Sequence, residues 1–182
     1  MPSKLYVYDA TSMIDRIQAG GRFEGDDDVL TFGIGSGVKE LLEVFKRLVS
    51  DGRRFNRVVF QTHGSPGTIY FGDDPIDSNV WKGTFYGFNF ENLFPKFTRM
   101  YFDGCNVADA EAGTNFLLAV GYVFLSKGGG DAFGWKNLGF GMPGLLPGIG
   151  GHTIHFGGSK NTKRIRFYSG GGGPNWPGSF VY

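Results

Sequence analysis

A single cysteine stands in the chain, Cys105, so no disulfide can close within it and the fold must rest on a packed core. That count fits a reducing compartment, and a cytoplasmic location is the expectation. Histidine is nearly as scarce: His63, His152 and His155 are all there is. His152 and His155 are three apart on a predicted strand, which puts them on opposite faces and argues against a shared metal. Long apolar runs are missing too. The longest, Phe116 to Leu125, falls far short of the roughly 18–20 residues that cross a membrane. Met1 to Ala10 lacks the basic region and continuous apolar stretch of a secretory signal. Nor is there an excess of one charge. The net value of +1 gives no electrostatic reason to expect a nucleic-acid or membrane partner. The local basic clusters, Arg53, Arg54 and Arg57, then Lys160, Lys163, Arg164 and Arg166, read as solvated faces.

What the chain does have is apolar and aromatic content, 41% and 16%, enough to argue against disorder in a single domain of 182 residues. Its 32 glycines concentrate after residue 127, which divides the domain into a core, 1–145, and a Gly-rich portion of strands and tail, 146–182. Leu5 to Asp9 alternates as a first strand, and Thr11 or Ser12 caps a short helix, Met13 to Gln18. Val29 to Ile34 reads as a second strand. Val38, Leu41, Leu42, Phe45, Leu48 and Val49 then recur at helical spacing, with charged residues between them. Gly33, Gly35 and Gly37 lead into that helix. The dinucleotide fingerprint needs its third Gly one residue later, and no P-loop Lys follows, so no nucleotide cofactor is expected.

Two apolar blocks carry the chemistry. Arg57 to Gly64 runs into a His-Gly pair, and Arg99 to Cys105 runs into the lone thiol. A strand–helix–strand order favours parallel pairing, and open α/β sheets bind ligands beyond the carboxyl ends of their strands. Thr68 to Gly72 returns as a short hairpin strand, Asp73 to Asn89 reads as an irregular loop, and Phe90 to Phe97 is at best a short helix broken by Pro95. A largely apolar helix starts near Ala108 and runs to Leu125, followed by a strand at Ala132 to Trp135. His152 to Phe156 and Arg164 to Tyr168 alternate and are expected to pair at the sheet edge.

An imidazole beside a thiol lowers its pKa and carries its proton, which makes His63 and Cys105 a candidate nucleophilic pair. Gly64 lets a backbone N–H approach a substrate oxyanion, and the N–H of Cys105 is a second candidate donor. A lone cysteine is more often a small buried hydrophobe, and residue types alone leave that reading open.

An apolar block ending in His-Gly, then a second ending in a small residue and Cys, resembles the catalytic pattern of the clan CD cysteine peptidases. These include caspases, metacaspases, legumain, gingipains, separase and the bacterial CHAT domains. His63-Gly64-Ser65-Pro66-Gly67, with Gly104-Cys105-Asn106-Val107-Ala108, is similar in particular to a bacterial caspase-like domain. The resemblance covers roughly residues 5 to 135. It implies a three-layer α/β/α sandwich around a mainly parallel sheet, and peptide-bond hydrolysis on a protein or peptide substrate without a cofactor. Cys105 would be nucleophile and His63 general acid/base, with the N–H groups of Gly64 and Cys105 as oxyanion hole. Asp103, two before the Cys, would stand in the primary specificity pocket and favour Lys or Arg. Asp103 capping the following turn, or pairing with a nearby Arg, is equally open. Asp131 is a second candidate for the pocket wall. A caspase-like interaction module with a vestigial site is the alternative.

Overall fold

The computed structural model describes residues 3–13, 15–16, 27–142, 152–155 and 161–169. In chain order the strands are β1 (Lys4–Asp9), β2 (Val29–Ile34), β3 (Arg57–Gln61), β4 (His63–Ser65), β5 (Thr68–Phe71), β6 (Asp74–Ile76), β7 (Thr98–Phe102), β8 (Gly130–Trp135), β9 (Gly139–Met142), β10 (His152–His155) and β11 (Thr162–Phe167). The helices are α1 (Val38–Ser50), α2 (Ser78–Phe85) and α3 (Ala110–Val120), the last continued by a π-helical turn, Gly121–Leu125.

Six strands form the central sheet in the order β11-β8-β7-β3-β1-β2. All neighbours are parallel except β11, which runs antiparallel on β8. Parallel neighbours need long crossovers, and α1, α2 and α3 lie in those connections. The architecture is therefore α/β with a mainly parallel sheet.

Strand alternation separates the two faces. Leu5, Val7, Val58, Phe60, Met100, Phe102, Ala132 and Ile165 join one core cluster with Leu41, Phe45 and Leu48 of α1, Trp81 and Phe85 of α2, and Phe116, Leu117 and Val120 of α3. All three helices thus cover the same face. The opposite face carries Tyr6, Tyr8, Val29, Val59 and Tyr101 as a smaller cluster. Residues 13, 15 and 16 are helical, and Asp15 meets Gln61 on this second side. The remainder of the expected Met13–Gln18 helix lies outside the described residues.

Four expectations are corrected. β3 ends at Gln61, and His63 opens β4 in a separate antiparallel sheet, β4-β5-β6. Asp73 to Asn89 is not an irregular loop, for it holds β6 and α2. Asp77 caps α2 by accepting from the N–H groups of Asn79 and Val80, and Trp81 and Phe85, four apart, bury its inner face. The apolar helix begins at Ala110, because Asp109 is its N-cap. The strand at His152 pairs with β9, whereas β11 takes the sheet edge against β8.

Phe45 is the hub of the core. It is fully buried, and its ring meets those of Phe60, Phe85, Phe90, Phe94 and Phe124 at centroid separations of 5.5–6.4 Å. Edge-to-face arrangements predominate, as the aromatic quadrupole favours. Phe45→Ala should therefore cost about 3–5 kcal/mol. Urea denaturation should show a lower midpoint at unchanged slope.

Candidate active site at the carboxyl edge of the sheet

β3 and β7 are parallel neighbours in register, Phe60 opposite Phe102, and the Asp103 N–H extends the pairing by donating to Phe60 O at 2.8 Å. The chain leaves β3 through Thr62 into His63 and Gly64, and leaves β7 through Asp103 and Gly104 into the Cys105 turn. Both exits are at the same edge, and they touch. A Cβ on Gly64 would stand 2.5 Å from Val107 Cγ2, 2.7 Å from Cys105 O and 3.0 Å from Cys105 N. One on Gly104 would meet Thr62 O at 3.2 Å and Gly64 Cα at 3.3 Å. Only glycine at both positions lets the two backbones approach this closely. His63 is exposed and Cys105 half-buried.

The Cys105 turn is held from two sides. Gly67 N–H, from the β4–β5 turn, donates to Val107 O at 3.0 Å. Ala108 N–H donates to Trp135 O at 2.8 Å and Asn106 N–H to Asn137 O at 2.9 Å, beyond the end of β8. Two non-glycine residues here have left-handed backbone, Asn106 in the turn (φ 56°) and Ala110 at the first position of α3 (φ 51°). Asn tolerates that region; Ala does not, and such strain persists only where surrounding bonds over-determine it.

The hairpin sheet that presents His63 and Gly64 is tied down by carboxylates. Asp9, buried at the end of β1, accepts from Thr11 N–H at 2.9 Å, Thr11 Oγ1 at 2.7 Å and Gly72 N–H at 3.1 Å. Asp74 of β6 accepts from Val38 N–H at 2.9 Å, capping α1. Gly37, at φ 79°, makes room for that carboxylate. Glu40 reaches back to the N–H groups of Gly35 and Ser36, each at 2.7 Å, so the three glycines are spent on a helix entry.

Asp103 accepts from Trp135 Nε1 at 3.1 Å. Both line a cavity of about 230 Å³ on the second face of the sheet, together with Tyr101, Phe133, Gly134 and Thr162. Tyr101 and Phe133 stack at 4.7 Å, with Arg57 over Tyr101 and Arg164 over Phe133.

Asp131 is not brought to this edge. It sits near the start of β8, opposite Arg99 and Arg166, and takes no part in lining the cavity. Its buried carboxylate accepts from Arg164 Nε and Nη2, both at 2.9 Å, and from Arg166 Nε at 2.9 Å. Two guanidinium groups saturate it, so Asp131 is corrected from pocket wall to structural ion pair.

Two residues here leave little trace in the sequence. Trp135 reads there as part of a strand, though an indole N–H needs a polar partner when half-buried, and Asp103 is in reach. Asp15 gave no signal at all. It is 6% exposed, and its carboxylate accepts from Gln61 Nε2 at 3.3 Å. Burial pushes this carboxyl above its usual range, while hydrogen bonds with Ser12 and Gln61 and the charge of His63 act in the opposite direction.

Comparison of the chain with protein-family models and with curated proteins gives no match. Among the described residues no group of three or more His, Cys, Asp or Glu is placed to hold a metal ion, and no helix is long and apolar enough to cross a membrane.

Gly64→Ala should force the His63 and Cys105 segments apart. Overpacking of this kind costs about 1–3 kcal/mol. The variant should melt earlier than wild type, and an iodoacetamide time course should show an altered rate at Cys105. A melting temperature unchanged by the substitution would show that the close approach is not a constraint.

Proposed function

We propose that the chain is a cysteine endopeptidase of caspase-like fold, using a His63–Cys105 dyad and cleaving after Lys or Arg. The observation that carries this reading is the contact of Gly64 with the backbone of Cys105 at one edge of a parallel sheet. Ligands gather at that edge in open α/β folds. The mainly parallel sheet and its covering helices accord with the sandwich that the sequence resemblance implies.

In the proposed reaction the Cys105 thiol gives its proton to His63, and the thiolate attacks the scissile carbonyl carbon. The N–H groups of Gly64 and Cys105 stabilise the oxyanion. As the tetrahedral intermediate collapses, the C–N bond breaks and His63 protonates the departing amine. Water, deprotonated by His63, then cleaves the thioester and regenerates the thiol. A backbone donor from Gly64 suits the oxyanion because no side chain stands between it and the substrate.

Substrate preference rests on Asp103. Its carboxylate stands at the end of a cavity whose walls are the rings of Tyr101, Phe133 and Trp135. Aromatic walls favour the methylene stem and cationic head of Lys or Arg, and the carboxylate supplies the charge partner. The Trp135 indole fixes the orientation of that carboxylate.

Cys105→Ala and His63→Ala should each abolish cleavage in a positional-scanning library of fluorogenic peptides. Asp103→Asn should lower kcat/KM for Lys and Arg substrates by roughly 10- to 100-fold, the value of a hydrogen bond to a charged group of about 1.5–3 kcal/mol. Hydrolysis that survives in Cys105→Ala would sink the mechanism. A wild-type protein that neither cleaves the library nor reacts with peptidyl electrophiles at Cys105 would instead favour an interaction module with a vestigial site.

A further inference from the structure

Asp15 stands apart from the other buried carboxylates because its bonding is incomplete. Asp9 is held by Thr11 and Gly72, and Asp131 by two arginines. Asp15 Oδ1 accepts from Gln61 Nε2, but Asp15 Oδ2 is buried and has no hydrogen-bond partner. Buried carboxylate oxygens are normally satisfied, and an exception calls for a reason.

The surroundings supply one. Gln61 is the last residue of β3, two before His63, and its amide is oriented from both ends. Tyr6 Oη donates to Gln61 Oε1 at 2.7 Å, so Gln61 Nε2 is aimed at Asp15. Asp15 is thereby fixed to the strand that delivers His63, on the face that also carries Tyr101 and Asp103. The charge of His63 favours the ionised form of the Asp15 carboxyl. The charged or titratable groups acting on Asp15 are His63, which favours its ionised form, and Asp9, which opposes it; Ser12 and Gln61 are neutral partners.

We propose that Asp15 is a positioning residue for His63: its unpartnered buried Oδ2 is the acceptor toward which the imidazole turns when it becomes charged. The inference rests on the peptidase reading of the same site. In each half-reaction His63 takes up a proton, from Cys105 and then from water, and becomes an imidazolium. A fixed carboxylate in a region shielded from water stabilises that cation and selects the ring orientation that leaves the other nitrogen facing Cys105. Asp15 takes no proton and touches no substrate. The Tyr6–Gln61–Asp15 chain is its support, and it ties the ring's orientation to the first and third strands.

The arrangement works against stability, which makes a structural role for Asp15 a poor explanation. A carboxyl raised on folding binds its proton more tightly in the native state. Its contribution is least unfavourable at low pH, worsens as pH rises from the ordinary carboxylate range through the raised value, and stays unfavourable at neutral pH. Asp15→Asn, which keeps the shape and removes the charge, should therefore melt no lower than wild type at neutral pH.

Two measurements test the proposal. Steady-state kinetics of Asp15→Asn should show kcat reduced by roughly 10- to 100-fold, a share of what general acid–base catalysis contributes, with KM within about twofold of wild type. Asp15→Glu, which restores the charge, should recover part of the loss. Independently of any activity, the carboxyl carbon of Asp15 can be titrated by NMR in wild type and in His63→Gln. Removing the imidazolium should move its inflection to higher pH. An unchanged inflection overturns the proposal, and so does an Asp15→Asn enzyme with wild-type kcat. A wild-type protein without peptidase activity overturns the catalytic reading of the dyad, while the carboxyl titration still decides whether Asp15 and His63 form a pair.

Discussion

The close approach of two backbones, at Gly64 and Cys105, is the constraint on which the site depends. The space that a Cβ would fill at Gly64 or Gly104 is already occupied by Val107 and by backbone of the facing segment. The contact has to be imposed from elsewhere. It comes from below through parallel pairing of β3 with β7, and from the sides through bonds that end on backbone groups. Gly67 reaches Val107, Trp135 and Asn137 accept from the turn after Cys105, and Asp9 and Asp74 fasten the hairpin sheet to β1 and to α1. Each of these bonds is ordinary. Together they leave His63 and Cys105 little freedom in where their backbones can stand.

The sheet divides its labour between faces. One face carries Phe60, Phe102 and their neighbours into a core crowded with aromatic rings around Phe45, and all three helices bury themselves there. The other face collects polar and amphipathic residues, Tyr6, Gln61, Tyr101, Asp103 and Trp135. Because side chains alternate along a strand, core packing and the lining of the candidate site share the same short segments in alternate positions. Val58 and Phe60 hold β3 in the core, while Val59 and Gln61 face the other way.

How much of this the sequence discloses depends on the range of the interaction. Helix α1 was legible because its apolar positions repeat over thirteen residues. The His-Gly and Gly-Cys blocks were legible because strand ends and reactive residues are adjacent in the chain. Helix α2 was hidden by its length: eight residues offer two buried positions, Trp81 and Phe85, and the cap at Asp77 resembles any polar turn. The partner of strand β10 is not legible, because alternation shows that a segment is a strand without saying which neighbour it takes. Asp131 looked like a pocket residue until Arg164 and Arg166, far along the chain, were found across from it. Asp15 is the extreme case, since nothing near it in sequence distinguishes it from a solvated helix residue. The partner that meets it, Gln61 of β3, lies 46 residues further along the chain.

The antiparallel placement of β11 has a consequence for the protein in a crowded solution. An open sheet ends in strands whose outward N–H and C=O groups invite pairing with another molecule, and natural proteins guard such edges with charge. Among the described residues β11 is the outermost strand on one side of the sheet, and Lys163, Arg164 and Arg166 lie along it. Arg164 and Arg166 turn inward to Asp131, and Lys163 bonds to Ala110 O and Thr114 at the start of α3. These three cations fasten β11 to β8 and to α3, and a foreign strand pairing with β11 would crowd or desolvate them, which is the usual way charge disfavours edge-to-edge association.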